Sequence, residues 1–378
     1  MAKKNISLKR RIMKMSVIHI QFPIGEGGLH FGVIGDKAYI YDCGHCGTYV
    51  AEHQIYLKYF CIIEHLLGKK DIKELNIYIS HMHIDHCNLL QGFLDSIKLM
   101  RIKIIIWIPN INNPEKIHLL LTSDLSRAVY GNSFRLISDP KNFLNVNNDN
   151  LLLHEIPPTP ENRDSGDVAD GFYRITGIEK STSDWVIDPF VIKGKINPNL
   201  VQYINNKFND NLRMLEDYDK FIEFQKEYKK EMEALKEDYH HSMLCLYAGQ
   251  DIKTTPIYTN HFLHHYYYLS FRNEILSGWM HTGDAILKKR RNPEFYEHYN
   301  KYANYIGFMQ IPHHGSQDNH NENFAKDMFG ENLSERIFYL TCSICGGRAK
   351  PKIDDIDSHI KIWPVVEFCN SCIVARVT

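Results

Sequence analysis

A strand-like segment that runs directly into three histidines and an aspartate is the feature that most constrains this chain. The apolar run LNIYIS at 75–80 is followed at once by HMHIDH at 81–86. Side chains alternate along an extended segment, so His81 and His83 project to the same side. Asp85 and His86 then begin the next helix. Imidazole and carboxylate are ligands that Zn²⁺ and Mn²⁺ prefer, so the segment predicts a turn that can serve two neighbouring metal ions.

Two later segments repeat the pattern of a buried strand that ends in polar residues. WMHTGDA at 279–285 offers Asp284, and FMQIPHHGS at 308–316 offers His313 and His314. A single aspartate after a strand is usually a turn residue or a helix cap. Three such segments in one chain predict a shared site instead, with a carboxylate that can bridge two metal ions and an imidazole that completes the second.

These motifs together resemble the metallo-β-lactamase fold. PHHGS is similar in particular to the nuclease-like domain of the competence protein ComEC and its soluble relatives. The opening segment PIGEGGLHFGVIGDKAYIYDCG at 23–44 resembles the first strands of that group, which end in an Asp-x-Gly turn. The resemblance extends from about residue 17 to 345. It implies an α/β fold, an αββα metallo-β-lactamase sandwich with a helical insertion.

The resemblance also implies a set of metal ligands for two divalent ions, Zn²⁺ or Mn²⁺. The first ion would be bound by His81, His83 and a third histidine, and the second by Asp85, His86 and His314, with Asp284 bridging. His241 fits the chain order expected of the third histidine, and His240 and His154 are the alternatives. Asp42, in YIYDCG, would brace the metal-binding turn from behind the ligands.

The implied reaction is hydrolysis by a hydroxide that bridges the two ions. Asp85 would help to position this nucleophile, and His313 would stabilise the transition state or donate a proton to the leaving oxygen. The roles of His313 and His314 could equally be reversed.

The remaining segments predict the organisation of the chain. Residues 1–15 read as a basic N-terminal arm and 16–378 as one hydrolase domain. A helical insertion at about 197–240 is amphipathic and rich in Glu and Lys. Residues 51–68 show helical spacing, and GEGG at 25–28 is typical of a turn between strands.

Two CxxC pairs near the C-terminus predict a further metal site. Cys342 and Cys345 form one pair, Cys369 and Cys372 the other, and 23 residues separate the pairs. Four thiolates at such spacing can bind a structural Zn²⁺ tetrahedrally. The alternative is that these cysteines are buried thiols at strand ends.

The charge balance and the cysteine count limit the functions and the cellular locations that we expect for this chain. Lys and Arg number 44 against 45 Asp and Glu, so bulk charge cannot attract a polyanion. Contact with phosphates would need a local patch, such as Lys288 to Arg291, and the aromatic tract at 264–271 could stack bases. An odd count of nine cysteines, no secretory signal and no long apolar run predict a soluble cytoplasmic protein without membrane contact.

The function that this sequence favours is a phosphodiesterase or nuclease acting on DNA or RNA. One alternative is a hydrolase of a small molecule or a cyclic nucleotide, which suits the near-neutral charge better. Another is an effector subunit of a multi-protein assembly, such as a bacterial defence system, that docks through the helical insertion and the CxxC pairs. The fold alone does not decide among them.

Overall fold

Two β-sheets pack face to face in this computed structural model, and helices cover both outer faces. The structure describes residues 17–22, 24, 26–46, 59–69, 72–123, 125–144, 150–158, 171–175, 184–209, 211–235, 242–253, 258–264, 275–313, 316, 319, 324–330, 338–344, 360–366 and 372–377. The predicted arm at 1–15 lies outside these residues.

The first sheet has nine strands. They are β1 (Val17–Gln21), β2 (Glu26–Ile34), β3 (Lys37–Cys46), β4 (Glu74–Tyr78), β5 (Lys103–Pro109), β6 (Leu151–Ile156), β10 (Tyr258–His264), β11 (Ile275–Leu276) and β16 (Cys372–Val377). Their order is β11-β10-β16-β1-β2-β3-β4-β5-β6. The strands β3 to β6 are parallel neighbours, so their carboxyl ends lie along one edge of the sheet.

The second sheet has seven strands. They are β7 (Tyr173–Ile175), β8 (Trp185–Ile192), β9 (Met243–Gln250), β12 (Gly278–His281), β13 (Ile306–Gln310), β14 (Phe338–Ile344) and β15 (Ile360–Val366). Their order is β15-β14-β13-β12-β9-β8-β7, with β12 to β15 parallel. Because β12 and β13 are parallel neighbours, the segments that follow them emerge at the same edge.

The helices fall into two groups by the sheet that they cover. Against the first sheet lie α1 (Cys61–Lys69), α2 (Ile84–Cys87), α3 (Leu90–Ile97), α4 (Asn113–Thr122), α5 (Arg127–Ser138), α6 (Pro140–Phe143), α7 (Pro198–Phe208) and α8 (Tyr218–Leu235). The second sheet carries α9 (Pro293–Tyr299) and α10 (Phe324–Phe329). Short 3-10 turns occur at Leu212–Leu215 and Asn300–Tyr302. Of the predicted helix at 51–68, residues 51–58 lie outside the described part.

Side-chain alternation along the strands produces the four layers. On β3, Ala38 and Ile40 face the helices while Tyr39 and Tyr41 face the second sheet. The strand β9 behaves in the same way, with Leu244 directed between the sheets. Among the strands whose side chains the structure describes, β1 to β5, β8, β9, β12 and β13 bury both faces. The predicted αββα sandwich with a helical insertion is confirmed.

The helical insertion packs onto the body of the protein through its apolar face. Along α8 the buried positions are Phe221, Gln225, Tyr228 and Met232, at the spacing of one helix face. This face contacts α4 and α5. Gln225 Nε2 also donates to the carbonyl oxygens of Leu121 and Ser123, at 3.1 and 2.8 Å, which satisfies the end of α4. The outer face of α8 is charged and exposed.

Candidate metal centre

The histidine-rich turn lies where β4 ends. Leu244 N, at the start of β9, donates to Ser80 O at 2.8 Å, which joins the two sheets just ahead of His81. Asp85 and His86 belong to the one-turn helix α2, as their place in the sequence predicts. The turn rests on β2 and β3 so closely that a Cβ on Gly44 would lie 2.4 Å from the Asp85 carbonyl group.

Asp42 holds His86 in one orientation. Its Oδ1 accepts from Ser80 N at 2.7 Å, and its Oδ2 lies 2.8 Å from His86 Nδ1. A carboxylate can only accept from this nitrogen, so Nδ1 carries the ring proton. His86 Nε2 then faces Asp284 Oδ1 at 3.3 Å and Asp85 Oδ2 at 3.5 Å. Asp42 therefore fixes which ring nitrogen points into the cluster.

Ser80 holds His81 in a similar way. Its hydroxyl donates to Asp42 Oδ2 at 3.0 Å, which leaves the oxygen to accept from His81 Nδ1, also at 3.0 Å. His81 Nε2 lies 2.8 Å from His83 Nδ1 and 3.8 Å from Asp284 Oδ2. The rings of His81, His83 and His86 are thus gathered on one side of the turn.

Asp284 and His313 approach this cluster from the second sheet. Asp284 follows β12, and its two oxygens face different partners, Oδ1 towards His86 and Oδ2 towards His81 and His313. His313 Nε2 lies 3.6 Å from Asp284 Oδ2, and its Nδ1 lies 2.7 Å from Asn319 Oδ1. His313 and Asp42 both have positive φ, at 49° and 57°, which is uncommon for residues other than glycine. Such backbone strain is typical of functional sites.

The charges and the burial of the site shift the pKa values of its residues in different directions. Burial alone would lower the pKa of His86, but Asp85, Asp284 and Asp42 hold it well above its ordinary value. Burial would raise the pKa of the Asp284 carboxyl, but His86 and His313 hold it well below its usual range. The pKa of His81 lies well below its ordinary value, because the ring is buried and His86 and His83 repel its charge.

The donor set suits a divalent metal ion. His81, His86 and Asp284 offer ligand atoms within 4.8 Å of one another. Two imidazoles and a carboxylate are ligands that Zn²⁺ and Mn²⁺ accept. The ring nitrogens that face away from Asp284 are bound by Asp42 and Ser80, an arrangement typical of metal-binding histidines.

Of the other candidate ligands from the sequence, one lies away from the cluster and three lie outside the residues that the structure describes. His154 lies on β6, exposed, with its ring stacked on Trp107 at 4.7 Å, two strands away from β4. His240, His241 and His314 lie outside the described residues. The residue after His241, Ser242, is described: it donates to Glu115 Oε1 at 2.6 Å, and it lines a small cavity together with His81.

The cysteine pairs are described only in part. Cys342 lies on β14 and Cys372 on β16, strands of different sheets. Cys345 and Cys369 lie outside the described residues. Four other cysteines, Cys43, Cys61, Cys87 and Cys245, are free thiols.

The basic segment at 288–291 begins four residues after Asp284. No helix begins directly after Asp284 in the described residues, since α9 begins only at Pro293. Lys289, Arg290 and Arg291 are exposed, and Lys289 Nζ lies 5.8 Å from the centre of the Tyr296 ring. The backbone of Leu287, just before the segment, donates to Asn319 O at 2.6 Å. The segment therefore starts close to the loop that carries His313. Of the predicted base-stacking tract at 264–271, only His264 is described, as the last residue of β10.

Sequence reasoning missed three kinds of residue at this site. GEGG is not a turn, because Gly27 and Gly28 lie within β2, where a Cβ on Gly28 would lie 2.5 Å from Asp42 Cβ. Glycines in a strand pattern are a signal of such close approach. The bracing roles of Ser80 and Asn319 carried no sequence signal, because their partners are distant or depend on side-chain orientation.

The αββα sandwich with this turn after β4 is the metallo-β-lactamase fold. No family model and no curated protein matches the sequence. Among the described residues, no helix combines the length and apolar character needed to cross a bilayer.

Three solved structures are similar to this chain. Unliganded yeast PDE1 matches over 96% of this chain and 100% of its own, with 9% identity and a TM-score of 0.43. The metallo-β-lactamase fold protein YhfI from Bacillus subtilis matches over 92% and 96%, with 8% identity and a TM-score of 0.39. A long form RNase Z from yeast matches over 96% of this chain and 48% of its own, with 9% identity and a TM-score of 0.36.

Proposed function

We propose that this protein is a metal-dependent hydrolase with a dinuclear centre around Asp284. The observation that carries the proposal is the convergence of His86 on one oxygen of Asp284 and of His81 on the other, at 3.3 and 3.8 Å. A carboxylate whose two oxygens face separate imidazoles suits a bridging ligand. The bonds from Asp42 and Ser80 to the outward nitrogens support the same assignment.

The proposed ligands are those that the sequence predicts, with one change at the histidine tandem. They are His81, His83, Asp85, His86, His241, Asp284 and one histidine of the pair His313 and His314. The distance of 3.6 Å from His313 Nε2 to Asp284 Oδ2 favours His313 as this ligand, the reversed assignment. To act as an acid instead, His313 would need a proton on Nε2 as well as on Nδ1. The contact of Ser242 with Glu115, beside the cavity that His81 lines, supports His241 as the third histidine.

Divalent ions at such a site act as Lewis acids and lower the pKa of bound water towards 7. The residues supply orientation and charge. Asp85, whose side chain is 20% exposed, would position the attacking water. Asp42 and Ser80 keep the rings of His86 and His81 from turning when charge develops in the transition state.

The substrate class that we propose is a phosphodiester in DNA or RNA. The similarity of PHHGS and of the segment at 23–44 to the ComEC-like branch supports this choice. The exposed cations Lys289, Arg290 and Arg291, which follow Asp284 in the chain, could hold the phosphates that flank the cleaved bond. Free thiols at Cys43, Cys61, Cys87 and Cys245 suit a reducing compartment such as the cytoplasm.

A small or cyclic nucleotide is the second candidate substrate. The formal net charge of −1 favours it, because a long polyanion gains little from a chain without excess positive charge. A role as an effector subunit also remains a proposal. The apolar face of α8 is already packed against α4 and α5, so a partner would have to bind the charged outer face of the insertion.

Hydrolysis assays with matched variants test this proposal. Plasmid DNA, RNA, a cyclic dinucleotide and a generic phosphodiester are incubated with the protein and added Mn²⁺ or Zn²⁺. We expect cleavage of the polymers by the wild type and a loss of at least 100-fold in Asp284→Ala and His86→Ala. The His154→Ala variant, which changes an exposed histidine outside the cluster, serves as the control and keeps full activity.

The pattern of cleavage separates the candidates. Cleavage of the small substrates alone would move the assignment to nucleotide hydrolysis. Full activity in either cluster variant would overturn the dinuclear site. Retention of one ion per chain after mild chelation, lost in Cys345→Ser, would support a structural zinc in the CxxC pairs.

A further inference from the structure

Asn319 connects the two loops that bring the second sheet to the metal centre. Its side chain is buried, with 6% of the residue exposed. Nδ2 donates to Asp284 O at 2.7 Å, and Oδ1 accepts from His313 Nδ1 at 2.7 Å. Its backbone carbonyl accepts from Leu287 N at 2.6 Å. One residue thus contacts the loop after β12 and the histidine that follows β13.

The partners of the amide define its orientation. The atom near Asp284 O also lies 3.5 Å from Ala285 O, so it has two carbonyl oxygens around it and must be the donor, Nδ2. The other atom is then Oδ1, which can only accept. His313 Nδ1, at 2.7 Å, must therefore carry its proton. The nitrogen that faces Asp284 Oδ2 is Nε2.

Three histidines around Asp284 each have a hydrogen-bond partner on Nδ1, which leaves Nε2 to face Asp284. His86 has its Nδ1 bound by Asp42, His81 by Ser80, and His313 by Asn319. In each case Nε2 is the nitrogen on the side of Asp284. The first two braces come from the first sheet and its turn. Asn319 supplies the third from the opposite side of the cluster.

We propose that Asn319 is a positioning residue that fixes the tautomer of His313 and holds its Nε2 towards Asp284 as a metal ligand. The inference rests on the proposed function in taking the cluster as a metal centre, and it is independent of the substrate. It assigns a role to a residue outside every motif found in the sequence.

Two substitutions separate this role from simple packing. Asn319→Ala removes the acceptor of His313 Nδ1, whereas Asn319→Asp keeps an acceptor at the same place. Asn292→Ala is the matched control, since Asn292 is similarly buried, at 8%, and its Nδ2 donates to Ile286 O at 2.7 Å in the same loop. Thermal unfolding checks that each variant is folded.

The first readout is the tautomer of His313 in chelator-treated protein, from side-chain ¹⁵N shifts assigned with a His313→Gln variant. We expect Nδ1–H in the wild type, in Asn319→Asp and in Asn292→Ala, and a mixture of tautomers in Asn319→Ala. His86 is the internal control, because Asp42 keeps a proton on its Nδ1 in every variant. An unchanged His313 tautomer in Asn319→Ala would overturn the proposal.

The second readout is the affinity for Zn²⁺, measured by competition with a chromophoric chelator. We expect about a 10–100-fold loss in Asn319→Ala, and values close to the wild type in Asn292→Ala. An equal loss in both would mean that Asn319 acts only by stabilising the loop, and would overturn the proposal. If the wild type bound no Zn²⁺, the proposed function would fail, while the tautomer comparison would still decide whether Asn319 positions His313.

Discussion

Asp42 joins the backbone of the turn to one of the candidate ligands. Its carboxylate accepts from Ser80 N and Ser80 Oγ, at 2.7 and 3.0 Å, and from His86 Nδ1 at 2.8 Å. The residue is fully buried and has a φ of 57°, a region that aspartate and asparagine tolerate better than most residues. Replacement by asparagine therefore tests the charge and the acceptor without changing the backbone.

We predict that Asp42→Asn lowers the affinity for Zn²⁺ by about 10–100-fold while the protein stays folded. Three donors now converge on the carboxylate, one on Oδ1 and two on Oδ2. The amide group of asparagine would set its own donor against at least one of them, so the orientation of His86 would be less firmly held. Chelator competition measures the change. Asp139→Asn, at an exposed helix cap where asparagine caps equally well, is the control. Unchanged affinity in Asp42→Asn would contradict the bracing role.

At the scale of elements, the turn after β4 depends on glycines in the strands beneath it. A Cβ on Gly44 would lie 2.4 Å from the carbonyl group of Asp85 and from Cys87 N, all backbone atoms that cannot move aside. Helix α2 can therefore lie against β3 only because residue 44 is a glycine and has no side chain.

We predict that Gly44→Ala destabilises the protein by about 3 kcal/mol, the upper range for overpacking, and lowers its metal affinity. Gly131→Ala is the matched control, because Gly131 lies within α5 with no atom within 4 Å of the added Cβ. The control is expected to gain about 0.5–1 kcal/mol of stability from helix propensity. Urea unfolding and chelator competition measure both. Equal stability of the two variants would mean that the turn can shift away from β3.

Features of the site that lie within one short segment could be predicted from the sequence, whereas contacts between distant segments could not. HMHIDH and Asp284 could be recognised because each follows the end of a buried strand, β4 in the first sheet and β12 in the second. The αββα layers were implied by the resemblance of these motifs to the metallo-β-lactamase fold. Asn319 could not be found, because its partners His313 and Asp284 meet only after the sheets pack. The assignment of GEGG to a turn was wrong, since strand glycines at a close contact look like turn glycines in a single sequence.

At the scale of the whole molecule, the interface between the sheets contains three buried histidines. Burial lowers the pKa of His19 to about 3, and it also lowers the pKa values of His30 and His281 well below the ordinary value. Tyr39 OH links two of them, at 2.9 Å from His19 Nδ1 and 3.0 Å from His30 Nε2. These rings are therefore neutral in the folded protein at pH values where an unfolded chain would bind protons.

We predict that stability falls as the pH drops below about 6.5, the pKa of an unperturbed histidine. The unfolded state then binds more protons than the folded state, so each buried histidine costs about 1.5 kcal/mol between pH 6.5 and 5. His19→Phe should lose stability at pH 7, since the bond to Tyr39 is absent, but its stability should fall less steeply towards pH 5. Urea unfolding of chelator-treated protein at several pH values measures this. If the free energy of unfolding fell equally steeply with pH in the two proteins, His19 would bind a proton equally well in the folded and unfolded states, which would contradict this prediction.

The proposed role of Asp284 is to hold metal ions between the two sheets. Its most direct test is the metal content of purified wild type and of Asp284→Asn, measured by inductively coupled plasma mass spectrometry after identical dialysis. We expect two ions in the wild type that Asp284→Asn loses, with an unchanged circular dichroism spectrum. Any ion that both proteins retain would belong elsewhere, such as the cysteine pairs. Equal metal content in the two proteins, or none in either after dialysis against Zn²⁺ or Mn²⁺, would show that Asp284 is not a metal ligand.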